Sequence, residues 1–381
     1  MSLHRRDFLG AAALLAAPQV LFAQADIERR FIFIIQRGAA DGLDTVIPYA
    51  EPAYAGSRGA LAIDPAGALK LDGSFALHPA LAKLHDLYQA GQATFFHAVA
   101  SPYRDRSHFD GQNVLETGGR APYQVKDGWM NRLLGVLPRS EKSALAFSSG
   151  VPLALRGAVE VASYAPSALP QASEDLVMRL DRLYARDAQL HALWSSALQA
   201  RGMAGGMSGR PNRRDAAALG RMAAGFLARA DGPRIAMIET SGWDTHSGQT
   251  ARLAAQLRGL DGLIGGVQEG LGPVWAQTVI LVATEFGRTV AANGTGGTDH
   301  GTGAVAMLVG GAVQGGRIVA DWPGLARANL HEGRDLKPTL ALDALVAATC
   351  AEWFALEPGR LARVLFPYGA DIKPIPRLLR G

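Results

Sequence analysis

Two acidic residues and a histidine follow an apolar run near residue 280, in a pattern suited to a metal or acid/base site. The run 278–283 is rich in β-branched residues, which is typical of a buried strand in a parallel sheet. Glu285 follows its carboxyl end, and Asp299 and His300 lie in the Gly-rich loop before the next apolar run. In open α/β sheets, functional groups gather where strands end. On this stretch alone, a turn cap at Glu285 and two plain loop residues explain the pattern equally well.

Carboxylates and a second imidazole follow two other predicted strands. Asp41 comes just after the strand 30–36, and Asp244 and His246 come soon after the strand 234–239. An Asp-x-His sequence beyond a strand end puts a carboxylate and an imidazole within reach of one divalent ion. For Asp41, an ordinary Asp-Gly turn is the alternative interpretation.

A serine lies at the predicted start of a helix after the strand 93–99. Ser107 begins a helical pattern that runs to Gly118. A hydroxyl at a helix N-terminus feels the positive end of the helix dipole, which suits a nucleophile that must also hold an anion. Serine is also a favoured N-cap, and taken alone this simpler interpretation is the stronger one. The next residue, His108, is a candidate general acid or a packing residue.

The elements that position these residues alternate between strands and helices. A helix at 80–89 leads to the strand 93–99, and a helix at 250–271 leads to the strand at 278. This alternation predicts an α/β fold with a parallel sheet. Because the carboxyl ends of parallel strands meet at one edge, we expect the four polar strand ends to form one site. No linker is evident, so residues 26–381 are predicted to form one domain.

Composition narrows the class of protein. The chain has 381 residues, of which 48% are hydrophobic and 19% charged, and its net charge is +4. It can therefore bury a sizeable core. No block of Lys and Arg with interleaved aromatics suggests a nucleic-acid partner. The single cysteine, Cys350, excludes an intrachain disulfide and a Cys-based zinc cluster, and we expect a buried core thiol.

The N-terminus has the pattern of an export signal. Arg5 and Arg6 precede an apolar run at 9–22, and Ala23-Gln24-Ala25 is a small-x-small cleavage site. We predict a twin-arginine signal peptide over residues 1–25 and a periplasmic or secreted protein with no transmembrane segment after cleavage. The twin-arginine translocase is then a transient partner. The alternative is a chance arginine pair on an uncleaved anchor.

Six short motifs together resemble a known bacterial family. They are RGAADGL, LHP, RSHFDGQ, GWDTH, TEFGRT and GGTDHG, spread over nearly the whole chain after the leader. Their combination resembles the domain of unknown function 1501 family, which is related to the alkaline phosphatase and sulfatase superfamily. The resemblance implies a central, mostly parallel sheet with helices on both faces. It also implies one or two divalent ions, of zinc, manganese, calcium or magnesium.

The resemblance also implies roles for single residues. It places Ser107 at the nucleophile position and gives metal-binding positions to Asp41, Asp244, His246, Glu285, Asp299 and His300. Phe286 stands where the superfamily has a metal-binding histidine. One metal, or a reduced site, is therefore favoured over a complete two-metal site.

A hydrolase of phosphate or sulfate esters is the function that the resemblance implies. The metal would act as a Lewis acid, Ser107 would attack the ester, and Arg288 is the candidate to hold its non-bridging oxygens. The substrate would be a small or envelope-derived anionic ester. The alternative is a non-catalytic binding protein on a degenerate phosphatase-like fold, which Phe286 supports.

Overall fold

The computed structural model describes most of the chain from residue 29 onward. The described residues are 29–138, 143–165, 174–187, 190–195, 198, 215–369, 375 and 377–380. The predicted signal peptide, residues 1–25, lies outside them. Among the described residues, no helix is long and apolar enough to cross a membrane.

Twelve strands in the described ranges form two sheets. They are β1 (Arg30–Arg37), β2 (Val46–Ile47), β3 (Leu69–Lys70), β4 (Ala76–Leu77), β5 (Ala93–Ala100), β6 (Ala144–Phe147), β7 (Ala162–Ser163), β8 (Ile235–Ser241), β9 (Thr278–Thr284), β10 (Ala304–Val309), β11 (Arg317–Val319) and β12 (Leu340–Ala341). The central nine-stranded sheet has the order β11-β5-β10-β9-β1-β8-β6-β7, with β12 paired to the end of β5. The other three strands form a small sheet in the order β2-β4-β3.

Strand direction brings the predicted site together. β1 runs parallel to both neighbours, and Phe33 pairs with Met237 of β8 and Leu281 of β9. β10 is antiparallel to β9 and to β5, so β5 has the same direction as β1. The mostly parallel sheet expected from the sequence is therefore confirmed. β10 reverses because a loop, not a crossover helix, connects it to β9.

Helices cover both faces of the sheet. Their bounds are α1 (Gly42–Thr45), α2 (Tyr54–Arg58), α3 (Ala82–Gln89), α4 (His108–Thr117), α5 (Trp129–Val136), α6 (Glu174–Tyr184), α7 (Ala216–Leu227), α8 (Gln249–Leu271), α9 (Leu342–Trp353) and α10 (Pro358–Leu365). Ile32 and Ile34 of β1 pack with α3, α7 and α8, whereas Phe31 and Phe33 face α5, α9 and α10. The alternation follows from the two-residue period of a strand, and both faces are buried as in other parallel sheets.

The single cysteine lies inside this core. Cys350 of α9 is fully buried and free, as the sequence predicts. Burial raises the pKa of its thiol, so it packs as a small apolar side chain.

Candidate metal centre

Three chain segments bring imidazoles to one carboxylate at the ends of the parallel strands. His108 is the first residue of α4, Asp244 and His246 follow β8, and His300 precedes β10. One ligand atom from each of His108, Asp244 and His300 lies within 4.8 Å of the others. His246 Nε2 lies 3.0 Å from Asp244 Oδ1 and 3.0 Å from His300 Nε2. The structure thus brings together three predicted metal residues and His108, for which the sequence suggested an acid or packing role.

Each imidazole is held at Nδ1 by an oxygen acceptor. The contacts are His108 Nδ1 to Glu285 Oε1 at 2.8 Å, His246 Nδ1 to Asp299 Oδ1 at 3.2 Å, and His300 Nδ1 to the backbone oxygen of Arg106 at 2.9 Å. When Nδ1–H donates to such an acceptor, Nε2 keeps its lone pair. Supporting acceptors of this kind fix the tautomer and the ring orientation of metal-binding histidines.

The three Nε2 atoms converge on Asp244. His246 Nε2 and His300 Nε2 face each other at 3.0 Å, and His300 Nε2 lies 3.3 Å from Asp244 Oδ1. His108 Nε2 lies 3.4 Å from Asp244 Oδ2 and is buried without a hydrogen-bond partner among the described residues. Atoms bound to one ion at about 2.0–2.2 Å lie roughly 3–3.5 Å apart in tetrahedral geometry. This donor set therefore fits a divalent ion.

Charge around Asp244 keeps its carboxylate ionised. Burial alone would raise the pKa of Asp244, but the hydrogen bond and charge of Arg288 outweigh it and lower the pKa. Burial lowers the pKa of His300, and the nearby His108 adds to the shift. An ionised carboxylate beside a neutral imidazole is the state in which both bind a metal.

Glu285 holds the ring of His108. Its side chain is fully buried, and its Oε1 accepts hydrogen bonds from Gly38 N at 2.8 Å, His108 Nδ1 and Gln112 Nε2 at 3.0 Å. Burial would raise the pKa of Glu285, but the bonds from His108 and Gln112 outweigh it and lower the pKa. Glu285, for which the sequence suggested a metal role, thus uses its Oε1 to hold the ring of His108, while its Oε2 lies 3.0 Å from Thr284 Oγ1.

Asp41 lies in a separate, closed ion pair. It is 1% exposed, and its Oδ2 accepts from Arg58 at 2.5 Å and from Gln249 Nε2 at 2.7 Å, while its Oδ1 caps α1 at Asp44 N. Burial would raise the pKa of Asp41, but the charge of Arg58 outweighs it and lowers the pKa. An internal guanidinium thus neutralises the carboxylate for which the sequence suggested a metal role.

Asp299 and Arg288 flank the centre. Asp299 is largely exposed, and its Oδ1 accepts from Asn293 Nδ2 at 3.1 Å besides contacting His246. Arg288 is buried, and its Nη1 donates to Asp244 Oδ1 at 2.6 Å. The guanidinium expected to hold an ester is therefore paired with a carboxylate of the site.

Ser107 lies at the N-cap of α4, and its hydroxyl makes no hydrogen bond with the part of the chain that the structure describes. It makes no side-chain cap bond, and its backbone N–H donates to Tyr103 Oη at 3.1 Å. Phe286 is buried and stacks on the ring of His108 at 5.1 Å between centroids. The aromatic ring thus helps to fix the orientation of that imidazole.

The sequence reading missed two supporting groups. Gln112 donates to Glu285 and accepts from Arg37 Nη1 at 2.9 Å, and the carbonyl of Arg106 accepts from His300. Gln112 lies four residues after His108, a spacing that puts both on one face of a helix. That spacing could have predicted the role of Gln112 from the sequence. A backbone carbonyl has no such sequence signal.

Solved structures whose backbones resemble this one include sulfatases and a lipoteichoic acid synthase. BT1596, a 2-O GAG sulfatase, is 11% identical, with a TM-score of 0.44 over 91% of this chain and 76% of that chain. Ps i-CgsB, solved in complex with k-i-k-neocarrahexaose, is 14% identical, with a TM-score of 0.43 over 86% and 72%. LtaP from Listeria monocytogenes, the lipoteichoic acid synthase, is 9% identical, with a TM-score of 0.38 over 81% and 70%.

Sequence comparison gives a clearer result at the family level. No curated protein matches this chain. The model of one family, described as "Protein of unknown function (DUF1501)", matches residues 28–365. That range includes every residue of the candidate metal centre. The chain therefore belongs to the DUF1501 family.

Proposed function

We propose that this protein is an exported, metal-dependent hydrolase of phosphate or sulfate esters. One observation carries the proposal: three imidazoles, each held at Nδ1, turn their Nε2 atoms toward Asp244. One of these atoms, in His108, is buried and makes no hydrogen bond among the described residues, with Asp244 Oδ2 at 3.4 Å as its ion-pair contact. A buried polar atom without a full hydrogen bond is costly, and a shared ion would satisfy it.

The residues that would hold the ion are His108, Asp244, His246 and His300. Imidazole-rich sets suit zinc and related transition metals better than magnesium or calcium. When bound, such an ion acts as a Lewis acid on an ester oxygen and favours the ionised form of a nearby nucleophile. Glu285 and Asp299 orient two of the imidazoles through Nδ1.

Ser107 is the nucleophile in this proposal. Its hydroxyl makes no cap bond at the start of α4 and directly precedes a proposed ligand, His108. The helix dipole favours negative charge at that position. The oxygen of Ser107 bonds to the phosphorus or sulfur, and the bond to the substrate's alcohol oxygen breaks. The alcohol leaves with a proton, and water then cleaves the covalent ester and restores the hydroxyl.

A second candidate function is non-catalytic binding of an anionic envelope component. The observation in its favour is the guanidinium of Arg288, which donates to Asp244 Oδ1 at 2.6 Å and thus places a fixed positive charge beside the carboxylate. A centre with an internal cation has less need of a metal ion. Phe286 in place of a further histidine fits the same proposal.

Export by the twin-arginine route and a single domain over residues 26–381 belong to this proposal. The supporting feature is the leader with Arg5, Arg6 and a cleavage site after Ala25. N-terminal sequencing of protein from the periplasm tests export and cleavage of the leader. A mature N-terminus at Asp26 is expected, and an intact leader on membrane-bound protein would contradict it.

Metal content and turnover together test the main proposal. Protein purified without chelators is analysed for metal, alongside Asp244→Ala, His300→Ala and the control His85→Ala, whose histidine contacts the Lys70 carbonyl away from the centre. About one equivalent is expected in wild type and control, and a large loss in the first two variants. Equal metal in all four would refute the ligand set.

Turnover of aryl phosphates and sulfates then separates the two candidate functions. Wild-type activity that disappears in Ser107→Ala, with metal retained, supports the hydrolase. Metal without turnover of either ester class supports the binding protein.

A further inference from the structure

A buried glutamine links the closed ion pair at Asp41 to the candidate metal centre. Gln249 is the first residue of α8 and is fully buried. Its Nε2 donates to Asp41 Oδ2 at 2.7 Å and to Asp44 Oδ2 at 3.0 Å. Its Oε1 accepts from the hydroxyls of Thr245 at 2.9 Å and Thr298 at 2.6 Å. All four bonds of the amide are made.

The direction of each bond in this chain is fixed by chemistry. Carboxylates accept and do not donate, so the NH2 group of Gln249 must face Asp41 and Asp44. The oxygen of the amide must then face the two threonines. A hydroxyl has one hydrogen, and Thr298 gives it to Gln249. The lone pairs of Thr298 Oγ1 are therefore free to accept from a donor on the other side.

That donor is Arg288, which lies against the candidate metal centre. Arg288 Nε donates to Thr298 Oγ1 at 3.1 Å, its Nη2 donates to the Thr298 carbonyl, and its Nη1 donates to Asp244 Oδ1 at 2.6 Å. The arginine is 2% exposed, so this set of bonds holds its guanidinium in one orientation. Asp244 is held in turn at the point where the three imidazoles converge.

We infer that Gln249 is a positioning residue that acts through Thr298 and Arg288 to set the orientation of Asp244 for metal binding. The inference rests on the proposed metal site. It assigns a function to the closed cluster of Asp41, Asp44 and Arg58, which fixes the amide of Gln249 although it binds no metal itself. Chains of hydrogen bonds inside a protein strengthen one another, so a break at one end is felt at the other.

Cobalt binding to the full-length mature protein tests the inference. Co²⁺ is followed by its visible absorption, which reports the ligand geometry as well as affinity. Gln249→Met keeps the side-chain volume and removes all four hydrogen bonds. Thr298→Val removes only the hydroxyl, and Thr298→Ser keeps it. Supporting residues around a metal ligand usually change affinity by about 10–100-fold.

The expected result is a loss of about tenfold or more in Co²⁺ affinity, with an altered spectrum, for Gln249→Met and Thr298→Val. Thr298→Ser should stay within about threefold of wild type, which a general packing defect at this position would not produce. If Gln249→Met does not fold, the two threonine variants decide the question.

Two other outcomes are distinguishable. Wild-type affinity and spectrum in Thr298→Val would overturn the role of the chain of bonds while leaving the metal site intact. No Co²⁺ binding by wild type would instead overturn the proposed metal site itself, and the inference with it.

Discussion

Two carboxylate clusters lie at the ends of neighbouring parallel strands, and they differ in what neutralises them. After β1, Asp41 and Asp44 share the guanidinium of Arg58, and all three side chains are almost fully buried. After β8, Asp244 is partly exposed and faces three imidazoles as well as an arginine. The first cluster is closed by its own cation. The second, the open cluster of His108, Asp244, His246 and His300, brings three Nε2 atoms to one carboxylate.

This difference separates a carboxylate that is paired within the fold from one that can take part in chemistry. A buried carboxylate must be paired, and an internal arginine does this permanently. The imidazoles of His108, His246 and His300 can instead share a metal ion with Asp244. The same residue type at the same sheet edge thus has two different environments, which are set by the partners that reach it.

The largest expected effect is at the closed cluster. Arg58→Met leaves Asp41 and Asp44 buried without their cation, and we expect the free energy of unfolding to fall by about 3–5 kcal/mol. Urea denaturation measures this fall. The control is Arg221→Met, which removes a surface arginine paired with Glu269 and should cost less than about 1 kcal/mol. Equal effects of the two changes would show that Arg58 is not an essential counter-ion.

A buried histidine, His97, differs from the imidazoles at Asp244 in that both of its ring nitrogens are hydrogen-bonded. His97 Nε2 donates to the Val46 carbonyl at 2.9 Å, and its Nδ1 accepts from Ala98 N at 2.9 Å, so neither nitrogen is free. Burial lowers the pKa of His97 from 6.5 to about 4, although the bond to Val46 opposes the fall. The folded protein therefore keeps His97 neutral where the unfolded chain would protonate it.

The lowered pKa of His97 should make the stability of the folded protein depend on pH. Between pH 6.5 and about 4, the unfolded chain binds a proton that the folded protein does not, so stability falls as pH falls. The full effect is about 3 kcal/mol, at roughly 1.4 kcal/mol per pH unit. His97→Gln should lose less stability than wild type across this window in urea denaturation. Parallel curves for the two proteins would contradict the neutral state of His97.

Metal removal should affect only the open cluster. At free metal about 100-fold above its dissociation constant, binding would add about 2.7 kcal/mol to the free energy of unfolding. Chelation should therefore lower the melting temperature of wild type and leave that of Asp244→Ala unchanged. A wild-type melting temperature that does not respond to chelation would indicate that Arg288 alone satisfies Asp244.

The sequence predicted the sheet better than it predicted the surroundings of each polar residue. Apolar runs located β1, β8 and β9, and strand direction then placed their polar ends together. What the sequence could not show was that Arg58, from a region rich in Gly, Ala and Pro with no clear pattern, folds back on Asp41. Nor could it show that Glu285 would point at an imidazole, because ring orientation depends on contacts between segments 177 residues apart.

The smallest expected effects distinguish the two carboxylates that hold imidazoles of the open cluster. Glu285 is fully buried and accepts from Gly38 as well as His108, whereas the side chain of Asp299 is 56% exposed. Glu285→Gln should weaken metal binding by about 10–100-fold, because the amide both loses the charge and can misplace the ring of His108. Asp299→Asn should weaken it by less than about tenfold, because water can replace an exposed acceptor. Isothermal titration with zinc measures both, and a larger loss in Asp299→Asn would show that His246, not His108, is the histidine whose orientation limits binding.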